Sequence, residues 1–158
     1  MEILNNNNLI VTKSRFSEVY DLAPRLRLDD KREVEAAGTT PLEALKYGVR
    51  SYDKCYSVYT KDRLLIGMFG YKRILGDIAS IWFLGSDDIE NYPLTLTKQG
   101  RRFVEDINKK YTLTNCVYAE NKTHITWLKR LDFEIDEQNP IEHNGEIFYK
   151  FYKLKKEE

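Results

Sequence analysis

The stretch Leu113–Phe133, LTNCVYAENKTHITWLKRLDF, constrains the fold of this chain more than any other. Leu113, Asn115, Val117 and Ala119 alternate with Thr114, Cys116 and Tyr118, the period of two expected of a mostly buried strand. Asn121-Lys122-Thr123 then interrupts the run with side chains that favour turns and helix N-caps. Ile125, Leu128 and Leu131 follow at helical spacing, with Trp127 beside them. The helix ends at Leu131-Asp132-Phe133, where extended geometry resumes.

The flanking chain supplies partners for that unit. Residues 1–8, with the polar tract Asn5–Asn8, read as a flexible lead-in to the strand Leu9–Thr12. Phe16, Val19, Tyr20 and Leu22 to Leu26 mark a short helix that Pro24 limits. Asp29-Asp30 opens the helix Lys31–Ala37, with Gly38 as its C′ residue. Thr40-Pro41-Leu42-Glu43 is a capping box with proline at the first helical position, ahead of Leu42–Val49. Cys55–Thr60 and Arg63–Tyr71 form an antiparallel pair around Lys61-Asp62. Ile78–Leu84 is the most apolar run and a central strand, reached through a turn at Gly76. The acidic loop Gly85–Pro93 leads to the helix Leu94–Tyr111. After Phe133, a terminal hairpin pairs Phe133–Asp136 with Glu146–Leu154 across the loop Gln138–Gly145. The order is β-α-α-β-β-β-α-β-α-β-β. It predicts one α/β (α+β) domain over residues 1–158, with about six to seven mainly antiparallel strands and about four helices.

Charge excludes some functions. Lys+Arg and Asp+Glu number 25 each, so the net charge is zero. General nucleic-acid binding and a polybasic membrane patch are therefore disfavoured. No run of about 18 apolar residues exists to cross a membrane. The start, MEILNNNNLIVTK, has no basic segment followed by an apolar one, so a protein that is not secreted is expected. Cys55 and Cys116 sit in apolar strand-like runs without metal-ligand spacing; both are expected reduced and buried, and no metal site is expected.

The order of elements resembles the GNAT N-acetyltransferase fold, most specifically in Asn121, His124-Ile125, Trp127-Leu128 and Leu131-Asp132-Phe133. A narrower resemblance is to the small internal virion protein of short-tailed bacteriophages. It rests on Glu35-Ala36-Ala37-Gly38 with Pro41, on Ile81-Trp82-Phe83, and on Asn121–Ile125 with Leu128-Lys129. The first resemblance implies an acetyl-coenzyme A site and an amine acceptor. The second implies a role in the virion or its assembly, other phage virion or assembly proteins as partners, and a location in the host cytoplasm or the virion.

Several residues depart from what the acetyltransferase chemistry would need. The resemblance places a phosphate-cradling loop at Leu84, Gly85 and Ser86, but Asp87, Asp88 and Glu90 follow at once. Like charges about 4 Å apart cost about 4 kcal/mol at an effective dielectric of 20. Leu128 stands where the family commonly keeps a tyrosine as general acid, and leucine donates no proton. Glu33, Glu35 and Asp53 are the acids available as a base for the acceptor, undistinguished from surface charges. His124 and Asn121 remain as catalytic candidates, His124 as an acid or base or else as a plug in a vacated groove. These departures favour a virion-associated protein with a degraded acyl-coenzyme A site and no cofactor. The alternative is an active N-acetyltransferase using acetyl-coenzyme A on a host or phage amine.

Overall fold

The computed structural model describes residues 2–5, 9–51 and 54–157. Eight strands form one sheet: β1 (Glu2–Asn5), β2 (Leu9–Lys13), β3 (Lys54–Thr60), β4 (Leu65–Leu75), β5 (Ile78–Gly85), β6 (Thr112–Tyr118), β7 (Glu134–His143) and β8 (Glu146–Lys153). Their spatial order is β1-β2-β3-β4-β5-β6-β8-β7. Five α-helices accompany them: α1 (Glu18–Leu22), α2 (Leu28–Ala36), α3 (Pro41–Ser51), α4 (Pro93–Asn108) and α5 (Lys122–Arg130). The mixed, mainly antiparallel architecture is the expected one. Glu2–Asn5 pairs antiparallel with β2, adding an edge strand within the expected lead-in; Met1 and residues 6–8 lie outside the described residues.

The local signals explain most boundaries. The Thr40 hydroxyl accepts from the Glu43 N–H at 3.2 Å, the N-cap half of the expected capping box, while the Glu43 carboxylate pairs with Lys46 at 3.6 Å. Gly38 adopts φ +92° at the end of α2. The terminal hairpin differs from expectation. β7 runs on through a register shift between Asp136 and Ile141 to His143, leaving only Asn144-Gly145 as the turn, both at positive φ. Positive φ at both central residues is the turn that matches strand twist, which lets a strand extend where a long loop is expected.

One cluster between the sheet and α4 and α5 contains Val104, Ile107, Leu113, Val117, Ile125, Leu128, Leu131 and Phe151. Another buries Val19, Leu22, Val34, Leu45, Met68 and Leu84 under the first three helices. Close approaches limit substitution at the sheet centre. A Cβ on Gly70 would lie 2.5 Å from the Lys54 carbonyl oxygen, a backbone atom of the neighbouring strand. Gly70→Ala is expected to lose about 1–3 kcal/mol of stability, read as a lower denaturation midpoint in urea.

The sheet's single parallel neighbour pair is β5 and β6. They are paired only from Ile78 to Ser80 against Thr112 to Thr114, and then separate. Asn115 closes the fork: its side-chain N–H donates to the Ile81 carbonyl at 2.8 Å, where the next ladder bond would fall. Beyond it, Ile81–Gly85 and Cys116–Tyr118 form two limbs with a gap between them.

Candidate functional site: the fork between β5 and β6

Helix α2 crosses the fork and puts one carboxylate on each limb. Asp30 Oδ2 accepts the Gly85 N–H of β5 at 3.0 Å. Glu33 Oε1 accepts the Tyr118 N–H of β6 at 2.8 Å. A spacing of three residues sets both on one helix face, so the same face serves both limbs. Asp30 is also held by Arg27 Nη2 at 2.8 Å and by Asn121 Nδ2 at 3.0 Å. Arg27, Asp30 and Asn121 are all buried, and every one of these contacts satisfies a group that would otherwise lose its water. Asn121 is thus more than a corner residue. Its Oδ1 accepts the His124 N–H at 3.3 Å, capping α5, and receives Arg27 Nη2 at 3.3 Å.

His124 enters the fork from the first turn of α5. Its Nδ1 lies 3.4 Å from Glu33 Oε2, ion-pair range, but makes no hydrogen bond and is shielded from solvent. Burial alone would lower its pKa; the carboxylates of Glu33 and Asp30 outweigh that and Arg27's opposing charge, and the value stands above the ordinary 6.5. A raised histidine stabilises the fold fully below its unfolded value. That contribution is lost as pH rises through the folded value. Glu33→Gln is expected to bring the His124 imidazole titration down in pH, read by its ring-proton shifts in NMR; an unmoved titration would show that Glu33 is not the partner.

Three cavities meet at the fork, and His124 and Phe83 line all of them. One, of about 440 Å³, runs between the start of α4 and α5, bordered by Arg27, Glu90, Thr97, Lys122, Thr123 and Arg130. One, of about 620 Å³, opens on the opposite side between α2, α3 and β6, bordered by Glu33, Glu43, Tyr47, Trp82, Asn115 and Cys116. The third, about 170 Å³, is an apolar space at Phe103, Trp127 and Leu128. Trp127 narrows the region between the helices: a Cβ on Gly100 of α4 would sit 3.2 Å from its ring.

The remaining expected site residues, and other charged, aromatic and cysteine side chains, are placed as follows. Leu84 and Gly85 end β5 and are buried. The Gly85 N–H is taken by Asp30, and the Ser86 N–H by the Ile66 carbonyl at 2.9 Å. Those two amides therefore do not face an open anion site, and the Ser86 hydroxyl caps the following short 3-10 turn instead. Leu128 is buried in the core. Glu35 is exposed, and Asp53 lies outside the described residues. Lys98, Arg101 and Arg102 face solvent on α4, Arg101 pairing with Asp132 at 3.1 Å. Trp82 is half-buried against Gly48. Phe148 and Phe151 of β8 are buried, so most of that aromatic strand is covered. His143 sits at the exposed end of β7, its Nε2 3.2 Å from the Ala37 carbonyl. Of the cysteines, Cys55 is buried as expected, but Cys116 is exposed on β6 at the rim of the larger cavity. Its strand alternation is real; the face it points to is the open side of the fork. Arg27 escaped the sequence reading, Asp30 entered it only as an acid opening a helix, and Glu33 was not separated from surface acids. The available signal was that Asp30 and Glu33 share a helix face with buried Val34.

No helix among the described residues is long and apolar enough to cross a membrane. No protein-family model matches the sequence, and no curated protein matches it. Solved structures do. The chain is similar to RimL, a ribosomal L7/L12 alpha-N-protein acetyltransferase in complex with coenzyme A, at TM-score 0.70 and 13% identity over 98% of both chains. It is similar to a GNAT-family acetyltransferase from Bacillus anthracis at TM-score 0.66 and 14% identity over 96% of both. It is similar also to the spermidine N-acetyltransferase of Vibrio cholerae in complex with coenzyme A and spermine, at TM-score 0.66 and 14% identity over 95% of this chain and 97% of that one. At such identities the likeness establishes the fold, and the fold of this chain is that of the GNAT acetyltransferases.

Proposed function

We infer that this chain is an N-acetyltransferase that takes an acetyl group from acetyl-coenzyme A to an amine at the β5–β6 fork. The observation that carries the reading is the meeting of cavities from both sides of the sheet at His124 and Phe83. A transfer enzyme needs that arrangement, because donor and acceptor must approach one point from separate entrances. The fold supports it, and so do the coenzyme A complexes of two similar structures. The residues present fit the donor. Arg27 Nε is a buried donor without a partner beside the smaller groove, and Lys122 and Arg130 border the same groove. Lys122 and Arg130 would hold the coenzyme's phosphates, whose charge they match. Glu90 on the same rim opposes it, in part offset by Arg27 Nη1 at 3.6 Å.

Acetyl-coenzyme A supplies the activated acyl group. The chain supplies the rest. Glu33 and Glu43 border the opposite cavity and would attract a protonated amine. As the N–acyl bond forms and the acyl–sulfur bond breaks, the neutral His124 imidazole would take up the proton that the amine must lose, Glu33 would stabilise the charged ring, and coenzyme A would leave as its thiolate. Trp127 and Phe83, 5.0 Å apart between centroids, keep water from the junction.

A second reading is a virion-associated or assembly role without catalysis among other phage proteins, and two observations favour the lack of catalysis alone. Asp30 occupies a β5 amide, and Leu128 is a core residue that can donate no proton. Calorimetry and thermal melting with acetyl-coenzyme A separate the two. Acetyl-coenzyme A at 100 times its dissociation constant is expected to add about 2.7 kcal/mol of stability. Lys122→Ala with Arg130→Ala is expected to weaken that binding. No shift at millimolar ligand would overturn the enzyme reading and leave the second.

A further inference from the structure

We propose that Asp30, Glu33 and His124 form a binding site for one divalent first-row transition-metal ion. The ligand atoms of these three residues lie within 4.8 Å of one another. The pair His124 and Glu33 is the most informative. His124 Nδ1 and Glu33 Oε2 are 3.4 Å apart, close enough to share something and yet not hydrogen-bonded. Two ligands at 2.0–2.1 Å from a tetrahedral zinc ion stand about 3.3 Å apart, so the observed spacing is that of two corners of a coordination shell. Nδ1 is buried and has no well-formed hydrogen bond, only the Glu33 carboxylate at ion-pair distance, and such an atom is rare in a folded interior.

The surroundings are built as a metal site's surroundings are. Glu33 is oriented by the Tyr118 N–H through its other oxygen. Asp30 is oriented by Arg27, Asn121 and the Gly85 N–H, which together leave its Oδ2 with one lone pair unused. Partners of this kind fix ligand direction and are a regular part of metal centres. Arg27 offsets one carboxylate charge, so the pocket presents one net negative charge and a neutral imidazole to a dication. Two oxygens and one imidazole nitrogen suit zinc, manganese, iron or nickel rather than copper(I). With three protein ligands the remaining positions face the cavities that His124 borders, so the ion has an entry path and room for an exchangeable ligand. The inference rests on neither reading of the function, and with an ion on His124 Nδ1 and Glu33 Oε2 the proton-accepting role of His124 is confined to the metal-free protein.

The test uses untagged full-length protein and Zn²⁺, titrated by calorimetry against a chelator of known affinity. One ion per chain is expected. Glu33→Gln and His124→Gln are each expected to weaken binding at least tenfold, while His143→Gln leaves it unchanged. Stoichiometric binding that survives both substitutions, or no binding by the parent protein, overturns the proposal. Should a variant fail to fold, Co²⁺ added to the parent protein decides instead. The His124 ring resonances are then expected to shift paramagnetically while those of His143 stay in place, and an unshifted His124 overturns the proposal.

Discussion

Asp30→Ala is expected to destabilise the protein by about 3–5 kcal/mol, more than any other single polar substitution described above. The carboxylate receives Arg27 at 2.8 Å, Asn121 at 3.0 Å and the Gly85 N–H at 3.0 Å. The Arg27 side chain is only 5% exposed, so without Asp30 its charge is buried beside weaker partners: Asp29 at 3.9 Å and Glu90 at 3.6 Å. The Gly85 amide loses its acceptor at the same time, which by itself costs about 1–3 kcal/mol. Set against the 5–15 kcal/mol typical of a domain, that loss places the variant near unfolding. Urea denaturation measures it. A loss under about 1 kcal/mol would mean that water replaces the carboxylate, and that the fork is wetter than its burial implies. Asp30→Asn keeps an acceptor for the amide but no charge for Arg27, so an intermediate loss is expected.

The second large effect concerns turnover. His124→Gln is expected to lower acetyl transfer by about 10²–10⁴-fold, the usual contribution of a positioned base. In the parent protein, the rate should climb with pH as the imidazole loses its proton, through a value above the ordinary histidine value because Glu33 and Asp30 hold it up. That climb should be absent in the variant. Binding of acetyl-coenzyme A, measured separately, should be little changed, which distinguishes a lost base from a collapsed groove. An unchanged rate and pH profile in His124→Gln would remove the residue from the chemistry.

Local rules made much of this fold readable in advance. The alternation of Leu113–Tyr118, the Asn121 corner and the spacing of Ile125 and Leu128 reappear as β6, the α5 cap and the core face of α5. The N-cap bond of Thr40 and the turn residue Gly76, at φ +54°, also appear where expected. The candidate site was much less readable. His124 and Asn121 were singled out, and they do sit at the fork. Their partners Arg27, Asp30 and Glu33 lie about 90 residues away, and Asn121 and Asp30 are separated by 91. No window of local pattern joins positions that far apart; only the crossing of α2 over the two limbs brings them together. Charged residues on an apolar helix face were the trace of it, and at sequence level such residues look the same as a solvated stripe. The expectation that Cys116 is buried failed for a related reason. Alternation says which residues share a face, while the gap decides whether that face is covered.

The fork also bears on how the molecule comes apart. β1 to β5 pair antiparallel in chain order, and β6, β8 and β7 form a second antiparallel block with β8 in its middle. The ladder between them covers three residue pairs, supplemented by the Asn115 bridge and the carboxylates of α2, while the core packed under α4 and α5 reaches across both blocks. Parallel pairing is the slower kind to form, because a long crossover must be ordered first. Within the sheet, the fork is therefore the seam between the two blocks. Amide exchange at Gly85 and Tyr118 would report opening of that seam separately from global unfolding. Whatever settles between the limbs bears on the coupling of the two halves as well as on chemistry.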